Sequence, residues 1–105
     1  MYGSVPVGAL AAARADGALV LDVREPHEYV AGHVPGARLV PEGTVAARLA
    51  DLPRSERVFV ICQTGNRSAR VADLLERHGM RAHSVVGGTS AWQAAGHPVV
   101  MGPRG

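Results

Sequence analysis

The sequence holds a single cysteine, Cys62, among 105 residues. One thiol cannot close an intrachain disulfide and leaves no cysteine-rich zinc site. Aromatic residues are scarce, with one Trp, one Phe and two Tyr, too few for a platform that stacks single-stranded bases. Charge of one sign is scarce as well. The net charge is +2 and the arginines are scattered, which gives no basic run of the kind that tracks nucleic acid. No apolar stretch approaches the ~20 residues of a membrane span. No basic segment followed by an apolar one opens the chain, so a secretory signal is not expected. A free thiol then fits a reducing, cytoplasmic setting. The histidines show no paired metal spacing, and no G-x-G-x-x-G pattern follows a strand. Neither a zinc site nor a nucleotide loop is expected.

What is present is a globular composition, 47% apolar and 19% charged. The length fits one domain with its own hydrophobic core, over about residues 5–100.

Along the chain, helical and strand patterns alternate. Val7 to Ala15 is Ala-rich and closes on Asp16-Gly17, a short helix with its stop. Ala18 to Val23 is an apolar run broken only by Asp22, the pattern of a buried strand. Arg24-Glu25-Pro26 opens a short helix that Gly32 ends. His33 to Gly36 is a turn and Ala37 to Val40 a short strand. Thr44 reads as an N-cap for a helix through Leu49 or Leu52. Val58 to Ile61 is a central strand. From Ser68 to Gly79 a helical pattern puts Val71, Leu74, Leu75 and His78 on one face. Ala82 to Val86 is a further strand, and Thr89 or Ser90 caps a helix through Ala95. Val99 to Met101 is extended, and Gly102 to Gly105 reads as a frayed tail. This order predicts an α/β fold with a mostly parallel central sheet and helices on both faces.

The chemistry gathers between Cys62 and Ser68. Cys62 follows the central strand directly, and Gln63-Thr64-Gly65-Asn66-Arg67 leads into the helix. A thiol is a nucleophile only as its thiolate, with an ordinary pKa near ~8.5. A helix N-terminus offers unsatisfied N–H groups and the positive end of the dipole. Gly65 lets backbone amides turn toward a common centre, and Arg67 adds a permanent charge. The loop is an anion cradle with a sulfur on its rim. Carboxyl ends of parallel strands are where such sites form.

Three separated segments, Leu21 to Ala37 (LDVREPHEYVAGHVPGA), Cys62 to Arg70 (CQTGNRSAR) and Val85 to Val99 (VVGGTSAWQAAGHPV), resemble the rhodanese-like single-domain sulfurtransferases. The resemblance covers about Val5 to Val100. It implies a persulfide mechanism: a donor such as thiosulfate, or a persulfide, gives its outer sulfur to Cys62, which passes it to cyanide or a thiol. The amides of Gln63 to Ser68 would steady the thiolate and the persulfide, and Arg67 would hold an anionic donor or complete the rim. The resemblance implies no metal and no organic cofactor, and a sulfur-acceptor protein as a further partner; nucleic acid and membrane are not expected. Six residues run from Cys62 to Arg67, both ends included. Similar phosphatases carry one more, which widens the loop for phosphate, so the short loop favours sulfur transfer. Some members of the family have basic residues at the loop tip, which suit the dianion thiosulfate. Here only Arg67 is cationic, which leaves a persulfide on a protein or small thiol as the alternative donor.

The bland readings stand beside these. Cys62 could be an inert buried thiol, although Gly65 and Arg67 beside it argue otherwise. Arg67 at a helix start sits where a cation is disfavoured, which calls for an anion nearby. Asp22 and Arg24 read first as a fold-holding ion pair that could edge the site entrance, and His33 as a structural turn contact. Glu28 reads as surface, Trp92 as core, and Gly87 and Gly88 as a tight bend. The competing functions are a small phosphatase or arsenate reductase, and a sulfur-relay or docking module.

Overall fold

The structure is a computed structural model that describes residues 3–54 and 56–105. Its centre is a four-stranded, wholly parallel sheet with strand order β2-β1-β3-β4. The strands are β1 (Leu19–Asp22), β2 (Arg38–Leu39), β3 (Arg57–Ile61) and β4 (Arg81–Ser84). Around it lie α1 (Val7–Ala15), α2 (Pro26–Ala31), α3 (Val45–Arg48), α4 (Asn66–Arg77) and α5 (Gly88–Ala94).

Alternation along β3 divides the core in two, because successive strand side chains point to opposite faces. Val58 and Val60 join Leu21, Val45, Val71 and Leu75, so α3 and α4 cover one face. Phe59 and Ile61 join Val20, Leu10, Tyr29 and Trp92, so α1, α2 and α5 cover the other. The expected layout, helices on both faces of a parallel sheet, is what the structure has. Trp92 is core as expected, 1% exposed, with its indole N–H donated to Pro98 O.

Several boundaries differ, each for a local reason. α4 starts at Asn66, two residues before the expected Ser68, because Gly65 takes a left-handed conformation (φ +111°) and turns the chain into the helix itself. His78, just past the end of α4, is exposed and its ring Nδ1 lies 2.9 Å from Leu74 O, while Ala72 and Ser68 take buried positions on the helix. Thr44 does not cap α3 with its side chain: its hydroxyl donates back to Pro41 O. The expected helix there is a four-residue α-turn flanked by 3-10 turns at Glu42–Thr44 and Leu49–Asp51. α2 starts at Pro26, with Glu25 and Glu28 forming a reciprocal capping box.

The end of the chain is not frayed. Val100 bridges His33 antiparallel, Gly102 N–H donates to Val30 O, Gly36 N–H donates to Gly105 O, and Arg104 O meets the His33 ring. His33 explains the docking. It is fully buried, stacked on Tyr29 at 3.6 Å, and its two ring nitrogens lie 2.8 Å from Tyr29 O and 2.8 Å from Arg104 O. Without the tail one buried ring nitrogen would lose its partner, a loss worth about 1–3 kcal/mol.

With this strand order, the direction in which the chain adds strands across the sheet reverses between β1 and β3, the switch point at whose carboxyl ends α/β sheets place their ligands. Asp22 ends β1 and Cys62 follows β3 at that edge.

Candidate active site

Cys62 is 1% exposed, and its sulfur is not lost in apolar packing. Gly65 N–H donates to Sγ at 3.1 Å and Ser68 N–H at 3.3 Å. The Ser68 hydroxyl lies 3.5 Å from Sγ. Burial pushes the thiol up, but the Ser68 hydroxyl and the amides of Ser68, Gly65 and Thr64 outweigh it, and the thiol ends below its ordinary value. Ser68 is itself fully buried at the start of α4, 3.1 Å from Gly65 O and 2.8 Å from the Ser84 hydroxyl. With Ser84 donating to it, Ser68 can turn its own proton toward an ionised sulfur. Thr64 and Asn66 are exposed and form the outer lip of the loop.

Amides face inward only if the loop carbonyls are held elsewhere, and α5 holds them. Thr89 donates to Cys62 O from both its N–H, at 2.8 Å, and its hydroxyl, at 3.0 Å. Ser90 N–H donates to Gln63 O at 3.1 Å. Gly88 makes that approach feasible: a Cβ there would lie 2.4 Å from Cys62 O and 2.6 Å from Gln63 O. Gly87 and Gly88 were expected to permit a bend near the sheet edge; Gly88 also lets α5 close on the cysteine loop. Thr89 and Ser90, expected as caps, grip the loop. Nothing in their local sequence signals this, since the partners lie 27 residues away.

Gln63 is a strut. Its side-chain oxygen accepts from Arg24 Nη1 at 3.0 Å, and its amide nitrogen donates to Ser90 Oγ at 2.8 Å. Arg24 is anchored by Asp22, with Nη2 2.8 Å from Oδ2, and by Gly32 O. Both charged residues are almost fully buried. The expected Asp22–Arg24 pair is present and reaches the cysteine loop through Gln63. His33 is turned away, its ring committed to α2 and the tail.

Arg67 has the anion its helix-start position calls for, and that anion is Glu28. The pair is bidentate at 2.7 and 2.8 Å, with both side chains about a quarter exposed. The Arg67 hydrogen bonds hold the Glu28 carboxyl down at about 2, with burial opposing. Glu28 holds the Arg67 guanidinium even more firmly protonated than usual. Glu28 is therefore not the plain surface residue expected; it reaches across from α2 to the cysteine loop. Its partner lies 39 residues away and left no local signal.

Among the described residues no group of histidines, cysteines and carboxylates is placed to hold a metal ion. None of the helices there is long and apolar enough to cross a membrane.

Fold and loop together define a parallel α/β protein whose one thiol sits in a cup of peptide amides at a strand-to-helix turn. The sequence pattern of the Rhodanese-like domain matches residues 7–95. The chain is 34% identical over 84 residues to thiosulfate sulfurtransferase GlpE of Pseudomonas entomophila, covering 79% of this chain and 77% of that one. It is 35% identical over 74 residues to the putative sulfur carrier protein YrkF of Bacillus subtilis, covering 70% of this chain but only 40% of that protein. Among solved structures, a rhodanese-related protein from Thermoplasma volcanium superposes with a TM-score of 0.90 at 33% identity, covering 96% of this chain and all of that one. The chain belongs to the rhodanese-like domain family. These relatives support a sulfurtransferase-type role, with a sulfur donor on one side and an acceptor on the other.

Proposed function

We propose that the protein moves a sulfane sulfur through a persulfide on Cys62. The observation that carries this reading is the convergence of two N–H groups on Sγ, with the Ser68 hydroxyl 3.5 Å away. That arrangement favours negative charge on sulfur, before and after loading. The Cys62 thiolate attacks the outer sulfur of the donor. In thiosulfate the S–S bond breaks, its electron pair leaves with sulfite, and Cys62 keeps a persulfide anion. A nucleophile such as cyanide then attacks the outer sulfur. The Cys62 S–S bond breaks, the pair returns to Sγ and thiocyanate departs. A thiol acceptor, taken as its thiolate, follows the same course. The roles are then Cys62 as nucleophile, the amides of Gly65 and Ser68 with the Ser68 hydroxyl as stabilisers, Gln63 and Arg24 as loop supports, and Thr64 and Asn66 as the lip the donor crosses. A cytoplasmic setting goes with this reading, since the thiol must stay reduced between turnovers.

The test is intact mass after incubation with thiosulfate. The expected result is a gain of one sulfur, absent in Cys62→Ser and discharged by cyanide. No gain with any sulfane donor overturns the proposal. A second reading has support in the likeness to a protein named as a putative sulfur carrier. There the sulfur passes mainly to a partner protein, and transfer to that partner outruns turnover with cyanide.

A further inference from the structure

The cysteine loop is rich in arginine and poor in net charge. Three arginines stand around it, and each is matched by its own carboxylate. Arg24 is paired with Asp22 at 2.8 Å, Arg67 with Glu28 at 2.7 Å and Arg70 with Glu42 at 2.8 Å. Arg67 and Arg70 lie close enough to Cys62 for a thiolate there to tighten their hold on the proton. The Glu28 carboxyl, held at about 2, stays ionised at any working pH. The loop tip, Gln63-Thr64-Gly65-Asn66, adds no charge. What remains to attract an anion is the set of amides around Sγ and the N-terminal end of α4, worth about half an elementary charge. That field already serves the Cys62 thiolate, so a donor's own charge meets no unmatched arginine among the described residues around the loop, and a dianion brings two such charges where a monoanion brings one.

We propose that this site selects a sulfane-sulfur donor with a single negative charge, and that Glu28 sets the preference by cancelling Arg67. The proposal rests on the sulfurtransferase reading above and specifies its donor class. A persulfide anion on a small neutral thiol has the right charge; thiosulfate has one too many. Glu28 acts through Arg67 and is a specificity-determining residue without touching the reacting atoms.

The test compares two donors of similar shape and different charge, thiosulfate (a dianion) and methanethiosulfonate (a monoanion). In both cases the Cys62 thiolate attacks the outer sulfur and the S–S bond breaks. The pair leaves with sulfite in one case and with methanesulfinate in the other. The rate of Cys62 loading is followed by intact mass in the wild-type protein and in Glu28→Gln. Glutamine still accepts the Glu25 N–H of the α2 capping box, so the helix start is retained while the charge is lost. The wild-type protein is expected to load faster from the monoanion. Glu28→Gln frees the Arg67 charge, which acts on two donor charges in one case and one in the other. Loading should rise about tenfold with thiosulfate and about threefold with methanethiosulfonate.

A readout on the wild-type protein guards against a poorly folded variant. Its loading by thiosulfate should not fall between low and moderate salt, because the paired arginines among the described residues leave no net attraction around the loop for salt to screen. Faster wild-type loading from thiosulfate than from methanethiosulfonate overturns the proposal, as does a steep fall with salt or an unchanged donor ratio in Glu28→Gln. In each of those outcomes sulfur transfer itself stands. Loading from neither donor removes both the proposal and the reading beneath it.

Discussion

Replacing Gly88 with alanine tests whether the grip of α5 on the cysteine loop is what aims its amides inward. The backbone there is left-handed, with φ +57°, which costs a residue with a Cβ about 1–2 kcal/mol. The new Cβ would start 2.4 Å from Cys62 O, and reaching an ordinary contact of 3.4 Å requires a shift of about 1 Å. That shift breaks the two Thr89 bonds and the Ser90 bond to the loop carbonyls, at about 0.5–1.5 kcal/mol each. The expected loss is about 3–6 kcal/mol, a large share of the ~5–15 kcal/mol that holds a domain together. Gly96 supplies the control. Its φ is +84° and a Cβ there meets nothing within 4 Å, so Gly96→Ala carries the strain alone, about 1–2 kcal/mol. Urea midpoints of the two variants separate contact from strain. The rate of Cys62 alkylation against pH reports whether the thiol loses its stabilisation. If Gly88→Ala lies within 1 kcal/mol of Gly96→Ala and its alkylation profile matches the wild type, the grip does not shape the loop.

Two further outcomes follow from the charges at the site. Ser68→Ala removes the hydroxyl that does most to hold the Cys62 thiol down; its pKa should rise and alkylation at neutral pH should slow several-fold, while an unmoved profile assigns the effect to the amides alone. Glu28 falls from an ordinary 4.5 to about 2 on folding, so its pairing with Arg67 stabilises the protein fully above pH 4.5 and is lost as pH falls toward 2. Partial exposure limits this to about 1–2 kcal/mol, read as a steeper acid loss of urea stability in the wild type than in Glu28→Gln; parallel curves would show the pair contributes nothing.

The legible part of this fold was the part written in consecutive residues. The apolar runs over Ala18 to Val23 and Val58 to Ile61, flanked by amphipathic stretches, are enough for a parallel sheet with helices on both faces, and the stop at Asp16-Gly17 placed the end of α1. The cysteine loop was legible for the same reason: thiol, glycine and helix start follow one another, and the fold only closes them around Sγ. Arg67 showed that it needed an anion, because its place in the first turn of α4 is unfavourable alone. That the anion is Glu28 is a tertiary fact, spread over 39 residues. The same holds for Gln63 as a strut to Arg24, for Thr89 and Ser90 as grips, and for His33 as the dock of the tail. Glycine and hydroxyl residues after a strand read equally well as a bend and a cap, so their action on a distant loop has no local signature. The start of α4 was misplaced because the backbone at Gly65 turns the chain into the helix; Thr44 stands at the expected N-cap position of α3 but makes no side-chain cap bond there.

Cys62 has no second thiol within these 105 residues, and that solitude governs its fate. An oxidised sulfur here finds no resolving cysteine among these residues, the usual first defence of a reactive thiol. Whatever atom is added to Sγ must be taken off by another molecule arriving at the lip formed by Thr64 and Asn66. For a thiol held below its ordinary value, the interval between one visitor and the next is the interval open to oxidants.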